Sequence, residues 1–156
     1  MICIPPSSRH CEFVLSEPKK ISVLVVDDHA GMREGITAVV NAQPDMVVVG
    51  QAGDGKEAIQ QFRSLNPDVS LLDWNLPVLR GEEVLCMMRA EAPQSRFIVI
   101  SALNDENCIR RALSLGARSY LHKDMLRREL LPAIRAVNEG RLYIPDAIAN
   151  RIKNGN

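Results

Sequence analysis

Five positions carry groups that could do chemistry together. Asp27 and Asp28 stand side by side after the apolar run Ile21 to Val26, and Asp73 follows a second such run. Ser101 and Lys123 each follow another. Three carboxylates and one ammonium at one place would leave a net charge of about −2, which like-charge repulsion makes unstable in a partly desolvated site. A divalent cation would balance it. A few carboxylate oxygens, with water completing an octahedron, suit Mg²⁺. Each residue also has a plainer reading. An Asp pair after a strand serves as a turn or helix cap, a serine before Ala102 as a turn residue, and a lone lysine as a solvated cation. The joint pattern is more specific than any of its parts.

The elements that would bring these residues together can be read from periodicity. Ile21 to Val26 is short, β-branched and almost continuously apolar, as a parallel strand buried on both faces is. Four more strands are expected at Met46 to Val49, Asp68 to Leu72, Phe97 to Ile100 and Ser119 to His122. Helical spacing recurs between them: Met32, Ile36, Val39 and Val40; Ala58, Ile59 and Phe62; Val84, Leu85 and Met88; Ile109, Ala112, Leu113 and Leu115; Leu130, Leu131, Ile134 and Val137. Gly116 and Gly140 follow two of these patterns, where a left-handed residue ends a helix, and Asn104-Asp105 precede one, as N-caps do. Five βα repeats imply an α/β domain with a parallel sheet and right-handed crossovers. In such a sheet ligands bind beyond the carboxyl ends of the strands, which is where the acids, the hydroxyl and the lysine stand.

Composition narrows the class. The 156 residues carry 19 basic and 19 acidic side chains and are 46% hydrophobic, which argues against disorder and against a dedicated nucleic-acid domain. No apolar run approaches the roughly 18 residues of a membrane span, and no signal peptide is expected. The four cysteines, at 3, 11, 86 and 108, match no metal or disulfide framework. We read them as reduced thiols in a cytoplasmic protein, with Cys86 and Cys108 as small buried hydrophobes. Residues 1–20 hold three prolines and no periodicity and are expected to be a disordered extension. Residues 21–140 form the domain, and 141–156 a linker segment with a short helix over Pro145 to Lys153.

At this point the sequence resembles a known family. Val25-Val26-Asp27-Asp28-His29, Asp73-Trp74-Asn75-Leu76-Pro77 with Gly81, Ile100-Ser101-Ala102, and Gly116-Ala117 leading to Tyr120-Leu121-His122-Lys123-Asp124 look like the receiver domain of two-component response regulators. Asp28-His29, Lys123-Asp124 and the Gly140-Arg141-Leu142-Tyr143 tail with Pro145 resemble the NarL/FixJ (LuxR-type) subgroup. The resemblance implies a doubly wound, flavodoxin-like sheet of order 2-1-3-4-5. It implies that Asp73 accepts a phosphoryl group from a sensor histidine kinase. Asp28, Asp73 and the Asn75 main-chain carbonyl would hold Mg²⁺, with Asp27 acting mostly through water. Lys123 would pair with the phosphoryl group, Ser101 would move to bond it, and Tyr120 would turn inward behind Ser101. Such a protein promotes only its own phosphorylation and dephosphorylation.

Several positions depart from the family pattern. Ser101 stands where threonine is commoner, and Trp74 is bulky for its place and is assigned to packing. Pro132 falls inside the last helical pattern, so that helix is expected to start late, near Leu130, or to kink; this bears on a possible homodimer. No helix-turn-helix follows within the 156 residues, so DNA is expected only through an output domain not in this chain. The alternative is a stand-alone receiver acting in a phosphorelay or by protein contact. A dehalogenase-type phosphohydrolase would need its nucleophile on the first strand and a second Asp where Asn75 stands. A flavodoxin-like cofactor binder would need a phosphate loop where Asp27-Asp28 would repel it. A degenerate receiver is disfavoured because every site residue is present.

Overall fold

The computed structural model describes residues 18–154. The expected extension at 1–20 lies almost wholly outside the described residues. Five strands, β1 (Ile21–Val26), β2 (Met46–Ala52), β3 (Val69–Asp73), β4 (Phe97–Ser101) and β5 (Ser119–His122), form one sheet of order β2-β1-β3-β4-β5. Each neighbouring pair runs parallel. Helices α1 (Ala30–Asn41), α2 (Gly55–Leu65), α3 (Gly81–Glu91), α4 (Glu106–Ser114) and α5 (Leu126–Asn138) alternate with them, and α6 (Asp146–Asn154) follows. This is the expected doubly wound arrangement.

The strands bury both faces because their side chains alternate between two cores. Leu24 and Val26, Leu72, Phe97 and Val99, and Tyr120 join one apolar cluster with α2, α3, α4 and Ile148 of α6. Val23 and Val25, Val69 and Leu71, Ile98 and Ile100, and Leu121 join the other, under α1 and α5. The ring of Phe62 stacks on Phe97 at 6.1 Å between centroids, fixing α2 on the first core.

Helix ends follow local chemistry. The Asp54 carboxylate accepts the Glu57 N–H at 2.8 Å, and Glu57 reaches back to the Gly53 N–H at 2.6 Å, a reciprocal cap for α2. Asp105 caps α4 by accepting from the Asn107 N–H at 2.9 Å. Gly116 and Gly140 take positive φ, 108° and 85°, just past α4 and α5 as expected.

Three expectations change. β2 runs on to Ala52 because it pairs along the whole of β1 past an irregularity between Val23 and Leu24. Cys86 is exposed and Cys108 only half-buried, not core residues. The buried stripe of α3 is Val84, Leu85 and Met88, and Cys86 points off that face. Finally, α5 does not start late. It begins at Leu126, after a 3₁₀ turn at Lys123–Met125, and carries Pro132 in its interior. An interior proline costs about 3 kcal/mol. Leu130, Ile134 and Val137, fully buried on the same helix, each contribute roughly 1.5–3 kcal/mol, so packing outweighs it.

Candidate functional site

The C-terminal edge of the sheet brings the expected residues together. Val26 pairs with Leu72 in register, so the next residues, Asp27 and Asp73, leave the sheet side by side. Ser101 ends β4, and Lys123 follows β5. Lys123 Nζ lies 3.1 Å from Asp27 Oδ2 and 3.4 Å from Asp73 Oδ2. Both aspartates are 2% exposed, whereas Asp28 is more open. The Asn75 N–H donates to Asp73 Oδ1 at 3.1 Å, which folds the β3–α3 loop back over the acid.

Burial dominates the electrostatics of Asp73. It pushes the carboxyl up from 3.8 to about 6, against the Asn75 N–H; the charge of Asp27 raises it further and the Lys123 ammonium pulls it down. For Lys123, burial works against the charged form, but Asp27 and Asp73 overcome it and leave the ammonium held above its ordinary value.

The ligand oxygens of Asp27, Asp28 and Asp73, with a ring nitrogen of His29, all lie within 4.8 Å of one another. Among the described residues, the buried Asp27 Oδ2 has the Lys123 ammonium 3.1 Å away and no other polar partner. A carboxylate oxygen with spare acceptor capacity, among hard oxygen donors of net negative charge, fits a hard divalent cation.

Three neighbours were not legible as site residues. His29 Nδ1 sits 3.1 Å from Asp27 Oδ1 and 3.0 Å from Asp28 Oδ1. The Arg33 guanidinium donates to the Asp27 carbonyl at 2.6 Å. His122 Nε2 lies 2.9 Å from the Ala102 carbonyl. His29 adjoins the acidic pair and could have been found by that; the other two act across loops, with no local signal.

The two expected switch residues are both buried. Tyr120 lies inward. It is 0% exposed, and its hydroxyl donates to the Leu103 carbonyl at 2.9 Å. The reason is packing, since its ring belongs to the first core. Ser101 is equally buried, and its Oγ accepts the Leu103 N–H at 2.9 Å. Trp74 packs in the first core as assigned.

The β3–α3 loop also stores strain. Val78 has φ 71° although it is β-branched, and Leu79 N–H bonds the Pro77 carbonyl at 2.8 Å across it. That is a γ-turn of the rarer hand. Gly81 follows where a Cβ would stand 2.5 Å from the Asp73 carbonyl and 2.7 Å from Trp74 Cα. Only glycine fits, so α3 starts directly against the backbone of the acid.

A doubly wound sheet whose carboxyl edge gathers an acidic pair, a buried aspartate, a hydroxyl and a lysine defines the class of response-regulator receiver domains. Residues 23–135 match the family model described as the response regulator receiver domain, and the chain belongs to that family. Over 134 residues it is 35% identical to the nitrate/nitrite response regulator protein NarL of Escherichia coli K12, covering 86% of this chain and 62% of that protein. Over 135 residues it is 34% identical to the transcriptional regulatory protein DegU of Brevibacillus brevis, covering 86% of this chain and 57% of that one. The chain thus spans about six-tenths of the length of these relatives. The crystal structure of a LuxR-family two-component response regulator from Aurantimonas sp. SI85-9A1 superposes with TM-score 0.84 at 28% identity, covering 88% of this chain and 98% of that one. Receiver domains are regulators rather than conventional enzymes. Among the described residues no helix is long and apolar enough to cross a membrane.

Proposed function

We propose that this chain is a phosphorylation switch whose acceptor is Asp73. The observation that carries the reading is the placement of Asp73: buried at the end of β3, with the Lys123 ammonium 3.4 Å from one oxygen and the Asn75 N–H 3.1 Å from the other. An Asp73 oxygen attacks the phosphorus of a phosphohistidine on a sensor kinase. The O–P bond forms, the P–N bond breaks, and the imidazole leaves with a proton. With a pKa of about 6, Asp73 is mostly ionised near pH 7.5 and so available as the nucleophile.

Asp27, Asp28, Asp73 and the Asn75 carbonyl would hold Mg²⁺, which when bound neutralises charge on the phosphoryl oxygens. Lys123 pairs with the phosphoryl group as a point charge. The Ser101 hydroxyl turns to donate to a phosphoryl oxygen, and Tyr120 holds the position behind it. The self-catalysed gain and loss of phosphate are the only reactions assigned to the chain. Residues 21–140 serve as the receiver and 141–156 as the segment leading out of it. Control of transcription through a DNA-binding output domain beyond these residues accords with relatives such as DegU, a transcriptional regulatory protein; a cytoplasmic place and pairing of two copies complete the proposal.

The test is incubation with acetyl phosphate and MgCl₂. The wild type gains the mass of one phosphoryl group in a hydroxylamine-sensitive linkage, and Asp73→Asn gains none. Equal labelling of the two would refute the assignment.

A further inference from the structure

The β4–α4 loop is tied down in an unusual way. The carbonyls of three consecutive residues are each taken by a side chain distant in sequence. His122 Nε2 meets Ala102 at 2.9 Å, the Tyr120 hydroxyl donates to Leu103 at 2.9 Å, and Arg151 Nε donates to Asn104 at 2.7 Å. The first two come from β5. The third comes from α6, outside the stretch matched by the family model. The loop residues themselves are exposed, so these bonds, with the Leu103 N–H to Ser101 Oγ bond, define their position.

The helix α6 is docked beside the loop. Ile148 is 0% exposed and shares an apolar cluster with Tyr120, Ile109 and Ala112, flanked by Ile144 and Ile152. Arg110 of α4 donates to the Ile152 carbonyl at 2.8 Å and holds the far end of α6. Tyr120 and α6 therefore touch the same loop and the same core.

We propose that α6 braces the switch: its docked position and the inward position of Tyr120 stabilise each other, and Arg151 is the positioning residue that joins them. Coupling of this kind is reciprocal. A docked α6 holds Asn104, and with it the Leu103 carbonyl that Tyr120 needs. An inward Tyr120 adds its ring to the apolar cluster in which Ile148 is buried. The phosphorylation arm of this inference rests on the switch function proposed above: a phosphoryl group on Asp73 that favours inward Tyr120 must also tighten α6. The segment after the receiver then senses the state of Asp73 through its own helix.

Hydrogen exchange read by mass spectrometry on the full chain tests this, since local opening is what exchange measures. Tyr120→Phe removes one hydroxyl and keeps the ring. It is expected to raise exchange of the α6 amides several-fold while β1 and β3 stay protected. Arg151→Gln is expected to raise exchange over residues 102–105 and to slow labelling of Asp73 by acetyl phosphate with Mg²⁺, and Arg151→Lys, still a donor, to restore part of both. In the wild type, labelling is expected to slow α6 exchange. If α6 exchange in Tyr120→Phe equals wild type, the brace is refuted. If Asp73 is labelled and α6 exchange is unchanged or faster, the brace also fails, but the switch function stands. If the wild type takes no label, the switch function fails, and the Tyr120→Phe and Arg151→Gln exchange arms still decide the brace.

Discussion

Replacing Asp73 by asparagine should make the protein more stable, and by an amount the site geometry sets. In the folded chain the Asp73 carboxyl titrates at about 6 rather than 3.8, chiefly because burial disfavours its charge. At 1.36 kcal/mol per pH unit, that rise corresponds to roughly 3 kcal/mol of stability lost when the group ionises in the fold. Between pH 3.8 and 6 the folded state binds more protons than the unfolded one, so stability falls as pH rises through that window and levels off above it. Asparagine keeps the acceptor for the Asn75 N–H and removes the charge. In a chelator at pH 7.5, Asp73→Asn should therefore gain about 2–3 kcal/mol, a urea midpoint shift of about 1 M or more for a domain of this size. At pH 4 the gap should close, because wild-type Asp73 is then protonated in the fold. Carboxylates away from the site titrate alike in both proteins and cancel in the difference. Added Mg²⁺ should stabilise the wild type more than the variant. Equal midpoints at pH 7.5, or a gap that persists unchanged at pH 4, would show that Asp73 is not strained by burial.

Val78→Gly should stabilise by about 1 kcal/mol: a β-branched residue at φ 71° carries roughly 1–3 kcal/mol of strain, glycine returns about 0.5–1 kcal/mol of that to the unfolded chain, and the side chain, 75% exposed, loses no packing. Urea denaturation checks it. Gly81→Ala should destabilise by roughly 1–3 kcal/mol and also weaken labelling of Asp73, because its Cβ must displace the Asp73 carbonyl; a variant with normal labelling would contradict that contact. In an absorbance titration both tyrosines should ionise above the range of free tyrosine. The hydrogen bond to Glu129 pushes Tyr143 up to about 12, and burial raises Tyr120. Tyr143→Phe should remove the step near pH 12.

Much of the fold was legible because both-face burial leaves an unbroken apolar run. β1 and β5 fall where the sequence places them, whereas β2 reads short because Gly50 and Gln51 look like the end of a strand. Their pairing with Leu24 and Val25 extends it. The convergence of Asp27, Asp28, Asp73 and Lys123 was legible once the strands were ordered, since residue type at a strand end carries that signal. What stayed hidden depends on contacts between distant loops. Nothing local marks Arg33 as bonded to the Asp27 carbonyl, or Arg151 to that of Asn104. The exposure of Cys86 and the early start of α5, ahead of Pro132, were missed for one reason: burial on neighbouring positions of a helix, not the residue's own propensity, decided each.

Three residues that meet at the site stand at 27, 73 and 123, about fifty positions apart, on strands that reach one another only through β3 and β4. A chain emerging during synthesis can place Asp27 beside Asp73 once β3 has paired. It cannot add the ammonium until β5 has closed the sheet edge. The site is therefore a late product of folding, and a truncated or half-made chain presents acids without their counter-charge. Any ligand that needs all three groups binds only the finished sheet and, by mass action, holds it finished.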